Sequence, residues 1–180
     1  MWLFEHQADH MTEKIVRIAY EAGQIILDIY QTDFRIDYKD DDSPLTKADR
    51  LANEYIVHAL RTHYPGMAIL AEESVDDLKR LESDYCWMVD PLDGTKEFIK
   101  RNGEFSVNIA LIYRSKAVLG VIYIPVLDEV YYASQGRGAY YIKEFSSHQD
   151  IKRSIRINVS SKTENLIMLH SRSHRYPVID

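Results

Sequence analysis

The sequence predicts an α+β layered sandwich, with helices packed on a large, mostly antiparallel sheet. Three observations carry this prediction. Apolar residues near the start recur at 15, 18, 19, 22, 25, 26 and 29, the spacing of one helix face. Later the pattern changes to strand-like runs: FSVNIALIY, AVLGVIYIPV, EVYYASQ, GAYYIK and IRINVS. Their connections (SK, LD, a Gly136–Gly138 turn and a polar loop at 144–153) are mostly short, which implies antiparallel neighbours rather than crossover helices. Helices first and a sheet afterwards place the chain in the α+β class.

Taken in order, a first amphipathic helix is predicted over roughly 8–30, followed by the polar loop DYKDDDSP. A second helix should start near Ser43–Thr46, carry Ala48, Leu51, Tyr55 and Ala59 on one face, and stop at Tyr64-Pro65-Gly66. MAILA at 67–71 reads as a short buried strand running into Glu72-Glu73-Ser74, and WMV at 87–89 as another ending at Asp90. TKEFIK should form a short helix. A new strand is expected at 166–169, so that residues 1–165 form one domain and 166–180 open a second α/β domain.

The composition is that of a globular chain: 46% hydrophobic and 28% charged, with no repeat. A net charge of −6 and the lack of a basic stripe argue against nucleic acid as the main partner. The one cysteine, Cys86, allows no internal disulfide and suits a reducing compartment, where it reads as a small apolar residue at the start of a buried strand. The longest apolar run, AVLGVIYIPV, is 10 residues, against about 18 needed to span a bilayer, so no transmembrane segment is expected. MWLFEHQADH lacks the marks of a secretory signal. A cytoplasmic protein is expected, either free or peripheral at the inner membrane.

The candidate site is WMVDPLDGTKEF, residues 87–98. Acids fall where strand-like runs become loops: Glu72-Glu73 after MAILA, Asp90 and Asp93 around Pro91. Magnesium takes oxygen ligands and is commonly held by one or two carboxylates with water and substrate phosphate. Pro91 stiffens the turn, so both aspartates and the Leu92 carbonyl can aim to one side. Gly94-Thr95 then opens a helix whose free N–H groups suit a phosphate, Gly94 allowing close approach and the Thr95 hydroxyl adding a donor. An isolated Asp-Gly-Thr is more often a turn and a helix cap. The full string between an apolar strand and an amphipathic helix favours chemistry. Residue 92 is Leu, so the two-apart aspartates of an aspartyl-phosphate enzyme are absent and direct attack by water is preferred. In SPLTKAD, Thr46 and Asp49 have capping-box spacing, and a Thr hydroxyl held by Asp49 could equally help deprotonate a water.

SPLTKAD, ILAEES and WMVDPLDGTKEFIKRNGEFSVNIAL occur in an order and spacing that resembles the inositol-monophosphatase-like superfamily of magnesium-dependent phosphatases. The stretch Lys96 to Phe105 looks most like its 3'(2'),5'-bisphosphate nucleotidase branch. The resemblance implies a sugar-phosphatase-like N-terminal domain and a small phosphorylated nucleotide as partner: removal of the 3'-phosphate of 3'-phosphoadenosine 5'-phosphate to give AMP, in sulfur assimilation. It also implies that Glu72, Asp90, the Leu92 carbonyl and Asp93 hold Mg2+, with Asp90 bridging two ions. Gly94 and Thr95 would hold the phosphate, Thr46 and Asp49 would orient the water, and Glu73 would be a neighbour. An inositol- or sugar-phosphate phosphatase is the alternative within the superfamily, and an inactive remnant the alternative outside it.

The sequence departs from the family in one respect. The family's second domain carries a W-D-x-A-x-G motif that supplies a further metal ligand. The only tryptophans here are Trp2 and Trp87. The expectation is therefore a truncated second domain and a weakly active or inactive chain, of open oligomeric state. Among lesser features, Tyr131-Tyr132 and Tyr140-Tyr141 read as alternating strand residues rather than a nucleotide platform. His170 and His174 read as surface residues. Lys96, Lys100 and Arg101 serve either a helix dipole or a phosphate field.

Overall fold

The structure is a computed structural model describing residues 2–32, 36–38, 44–76, 78–161 and 164. The first helix, α1 (Trp2–Tyr30), is longer at its start than the periodicity indicates. Two short strands pair antiparallel, β1 (Ile36–Tyr38) and β2 (Pro44–Thr46). Helix α2 (Lys47–His63) therefore begins after Thr46, because Pro44–Thr46 is used for pairing rather than for a helical turn.

Among the described residues the main sheet has seven strands in chain order: β3 (Ala68–Ala71), β4 (Tyr85–Asp93), β5 (Ser106–Tyr113), β6 (Lys116–Ile124), β7 (Glu129–Ser134), β8 (Gly138–Lys143) and β9 (Ile155–Ile157). Only β3–β4 is parallel; every later pair is antiparallel, as the short turns require. The predicted sheet and helix layers are both present. The strand expected at 166–169, the 166–180 segment and the two histidines fall outside the described residues.

Alternation explains the layering. Val107, Ile109 and Leu111 face the helices and are buried, and their cross-strand partners Tyr123, Val121 and Leu119 are too. Trp87 and Val89 continue that face on β4. Against it α1 lays Ile15, Ile18, Ala19, Ala22 and Ile26, and α2 lays Ala52, Ile56 and Leu60. Helix α1 crosses β5, β6 and β7, while α2 lies on β4. Cys86 is buried on β4, as expected.

Two features tie the site region down. Helix α3 (Thr95–Ile99) is short, and its Phe98 ring packs 5.0 Å from Tyr30 and 5.2 Å from Phe105. Arg101 donates to the carbonyls of Tyr30 and Thr32, both at 2.5 Å, and its guanidinium lies over the Tyr30 ring. Arg101 thus closes the end of α1, where the free carbonyls favour a cation.

Gly23 of α1 is a close-approach point: an added Cβ would lie 2.3 Å from the buried Tyr123 ring and 3.1 Å from Pro125. Gly23→Ala should therefore destabilise the chain by about 1–3 kcal/mol through overpacking, outweighing the roughly 1 kcal/mol that alanine adds in helix propensity. Gly120→Ala, whose Cβ would meet nothing within 4 Å, should stay within about 0.5–1 kcal/mol of the parent. Urea unfolding midpoints of the two variants provide the comparison.

Candidate active site

The acids gather where the parallel pair β3–β4 ends. Ala71 pairs with Val89, and the Glu72 N–H donates to the Val89 carbonyl at 3.1 Å, so the pairing runs one residue past β3. That bond places Glu72 beside Asp90. The turn after Glu72 is closed by the Ser74 N–H on the Ala71 carbonyl, and Ser74 Oγ accepts from Asn53 Nδ2 of α2 at 3.0 Å. Asn53 is only 5% exposed, so the loop carrying Glu72 is tied to the core side of α2. Asp49, one turn earlier on the same helix face, is also buried, at 4%.

Strand β4 does not stop at Asp90 as the apolar pattern suggests; it runs to Asp93, with an irregularity. Asp90 pairs with Asn108 and Asp93 with Ser106, and the register shifts between the two. Three steps on β4 match two on β5, so the extra residue bends the strand and re-aims Asp93 and the turn into α3. Pro91 and Leu92 are buried within this bend. Proline, which gives no ladder N–H, is well placed there.

The Asp90 carboxyl is half-buried, and burial pushes it up to about 7. The nearby Glu72 and Asp93 carboxylates and a hydrogen bond with the Glu72 side chain push the same way, while a hydrogen bond from the Leu92 backbone opposes them. The Oδ1 atom of Asp90 is buried and has no hydrogen-bond partner among the described residues. Asp93 is exposed, and its Oδ2 accepts from Asn108 Nδ2 at 3.1 Å. Glu72 and Asp93 thus both bear electrostatically on Asp90. Among the described residues, however, no three Asp, Glu, His or Cys side chains are drawn into a ready-made metal cage.

The other predicted residues show a mixed placement. The Leu92 carbonyl accepts from Thr95 Oγ1 at 3.2 Å, leaving one lone pair outside that bond. Thr95 thereby closes its own turn. Gly94 has φ 96°, and an added Cβ would lie 2.8 Å from the Glu104 carbonyl. Its first reason is thus contact with the 104–105 backbone, whatever anion comes near. The Thr46 side chain lies outside the described side chains. Glu73 is half-buried beside Glu72.

A cavity of about 760 Å³ opens beside these acids on the sheet face away from α1 and α2. Its floor includes Met88, Ala110, Gly120 and Ile122, and its polar rim is formed by Glu72, Asp90, Asp93 and Asn108. Sequence reasoning missed the floor, and with it Asn108, Ser106, Asn53 and Ser74. The alternation of FSVNIALIY does set Asn108 on the face opposite Val107 and Ile109, but nothing in it says that this face meets Asp90.

With this geometry in place, comparison with known proteins assigns the class. The sequence profile of the inositol monophosphatase family matches residues 7–177, and the chain belongs to that family. It is 48% identical over 130 residues to the 3'(2'),5'-bisphosphate nucleotidase CysQ of Salmonella typhimurium, covering 71% of this chain and 53% of that protein. Among solved structures, CysQ from Bacteroides thetaiotaomicron superposes with a TM-score of 0.74 at 41% identity, over 96% of this chain and 65% of that one. The extragenic suppressor protein suhB of Bartonella henselae gives a TM-score of 0.68 at 33% identity, over 73% and 52% respectively. The chain spans about half the length of the curated relatives it matches.

The Asp90 carboxyl has its folded-state pKa above the ordinary 3.8. The fold therefore favours its protonated form, and that contribution to stability fades as pH rises from about 4 through about 7. In chelator, the parent should lose more thermal stability between pH 5.5 and 8 than Asp90→Asn does. Parallel Tm profiles for the two would show that this carboxyl is not the source.

Proposed function

We propose that this chain provides the cation- and phosphate-binding part of a magnesium-dependent phosphatase. The reaction is removal of the 3'-phosphate of 3'-phosphoadenosine 5'-phosphate to give AMP. The observation that carries this reading is the Glu72–Asp90 pair, with Asp93 beside it and a buried Asp90 oxygen that has no donor among the described residues.

The residues fit a hard cation. Their donors are carboxylate and carbonyl oxygens, and burial together with like charge disfavours a naked carboxylate at Asp90. An incomplete protein cage also suits Mg2+, which keeps waters and shares its remaining positions with substrate phosphate. Glu72, Asp90, the Leu92 carbonyl and Asp93 would hold it. When bound, Mg2+ supplies positive charge that offsets the phosphate and favours deprotonation of water.

The chain's own residues then have distinct tasks. Asp49 and Thr46 hold the attacking water and take up its proton. Gly94 and Thr95 orient the phosphate at the turn into α3. A bond forms from the water oxygen to phosphorus as the bond to the ribose 3'-oxygen breaks, and a proton restores that hydroxyl. The Met88–Ile122 floor offers apolar surface to the rest of the substrate.

The choice of substrate rests on the relatives, whose names specify a 3'(2'),5'-bisphosphate nucleotidase. Sulfur assimilation and a cytoplasmic setting go with that choice. The lone buried Cys86 agrees with a reducing compartment. No helix among the described residues is long and apolar enough to cross a membrane, and the inner-membrane placement finds no support among them.

The test is phosphate release with Mg2+ from 3'-phosphoadenosine 5'-phosphate and from inositol 1-phosphate. Turnover by this chain should favour the nucleotide. Asp90→Asn should cut it by about 100-fold or more, since several kcal/mol of charge stabilisation go with the ligand. Preference for the inositol phosphate would overturn the substrate assignment, and undiminished turnover by Asp90→Asn would overturn the site.

A further inference from the structure

We propose that Asn108 is a positioning residue that aims the Asp93 carboxylate at the cation site, with Ser106 setting the Asn108 amide. This rests on the cation site proposed above and adds two residues on β5 to it.

The bend in β4 creates the need for such a residue. Asp90 and Asp93 sit on opposite sides of the register shift, so the ladder that fixes Asp90 does not carry over to Asp93. Asp93 is exposed, and an exposed carboxylate at the end of a bent strand has several rotamers open to it. Asn108 Nδ2 donates to Asp93 Oδ2 at 3.1 Å and selects among them. The register places Asn108 opposite Asp90 itself, so one β5 residue spans both aspartates.

The amide orientation is dictated by chemistry. An ionised carboxylate only accepts, so the Asn108 atom facing Asp93 must be the amide nitrogen. That turns Oδ1 the other way, where Ser106 Oγ donates to it at 3.3 Å. Ser106 is in turn the ladder partner of Asp93. Ser106 and Asn108 project from the same face of β5 and line the cavity with Asp90 and Asp93. The chain from Ser106 through Asn108 to Asp93 is thus polarised in one direction.

A neutral donor suits this task. An arginine or lysine there would hold Asp93 equally well but would compete with the cation for its charge. An amide on Oδ2 leaves Oδ1 and a further lone pair of Oδ2 for a metal. Partners that orient ligands in this way typically contribute about 10–100-fold to metal affinity.

The test is Mn2+ binding to the whole metal-free chain at pH 7.5, read by electron paramagnetic resonance. Asn108→Leu keeps the size and removes the donor; it should weaken Mn2+ about tenfold while the metal-free Tm stays near the parent's. In an Asp93→Asn background the same substitution should add little, because the bond it removes no longer orients a carboxylate. Ser106→Ala should weaken binding in the same direction by a smaller factor, and serves as the readout if Asn108→Leu fails to fold. Equal Mn2+ affinity in parent and Asn108→Leu, or in parent and Ser106→Ala where that variant stands in, overturns the role of Asn108 and leaves the site intact. Losses that add in full across the double variant overturn it as well. A parent that binds no Mn2+ at millimolar concentration overturns both this inference and the cation site.

Discussion

The pairing of β4 with its two neighbours is the constraint on which the site depends. On its helix-facing side β4 is anchored by Trp87 and Val89 in the core beneath α2. Its parallel partner β3 delivers Glu72 through one extra backbone bond, and its antiparallel partner β5 delivers Asn108 opposite Asp90. Apolar burial on one face of the strand thus fixes where the acids on the other face must stand.

The helices extend this logic to the loops. Asn53 reaches from the buried face of α2 to Ser74, so the Glu72 turn is held from below as well as from β4. Arg101 and Phe98 hold α3 against the end of α1, which leaves the Asp93-Gly94-Thr95 turn little freedom. Gly94 completes the arrangement because the 104–105 backbone passes where its side chain would be. Ligand-bearing loops are usually the mobile part of a fold. Here each is tied to a helix by at least one side chain.

Much of this is legible in the residues. The helix periodicity of 15–29 and the alternation of FSVNIALIY each reflect one buried face, and one buried face is what alternation reports. The acids at strand ends are legible too, because turn residues and carboxylates mark the same places. Less visible is anything set by pairing between distant segments. β4 runs on to Asp93 because β5 supplies a partner for it, whereas Pro91 alone signals a stop. Thr46 ends a strand for a similar reason: β1 pairs with it, and a local capping pattern says nothing of β1. Residue type suggests only phosphate for Gly94 and Thr95. The structure adds a backbone contact for the first and a bond to the Leu92 carbonyl for the second.

The electrostatics of the site argue against a purely structural cluster. A solvated acidic surface spreads its charges and leaves each carboxylate wet, at almost no cost. This chain instead buries Asp90, leaves one of its oxygens without a donor among the described residues, and sets Glu72 and Asp93 beside it, so that burial first and the two neighbouring carboxylates next push its carboxyl up to about 7. Each of these features opposes folding at neutral pH, and a lysine or arginine among the three acids would relieve all of them. Among the described residues the cavity lining contains neither, and the side chain that donates to Asp93 there is the neutral Asn108. An unrelieved set of acids is costly unless something from solution completes it. In the proposed reading, a divalent cation would remove the repulsion, fill the coordination of the buried oxygen and draw on the exposed carboxylates as well. The same binding energy would then stabilise the folded chain and couple ligation to folding at this end of the sheet.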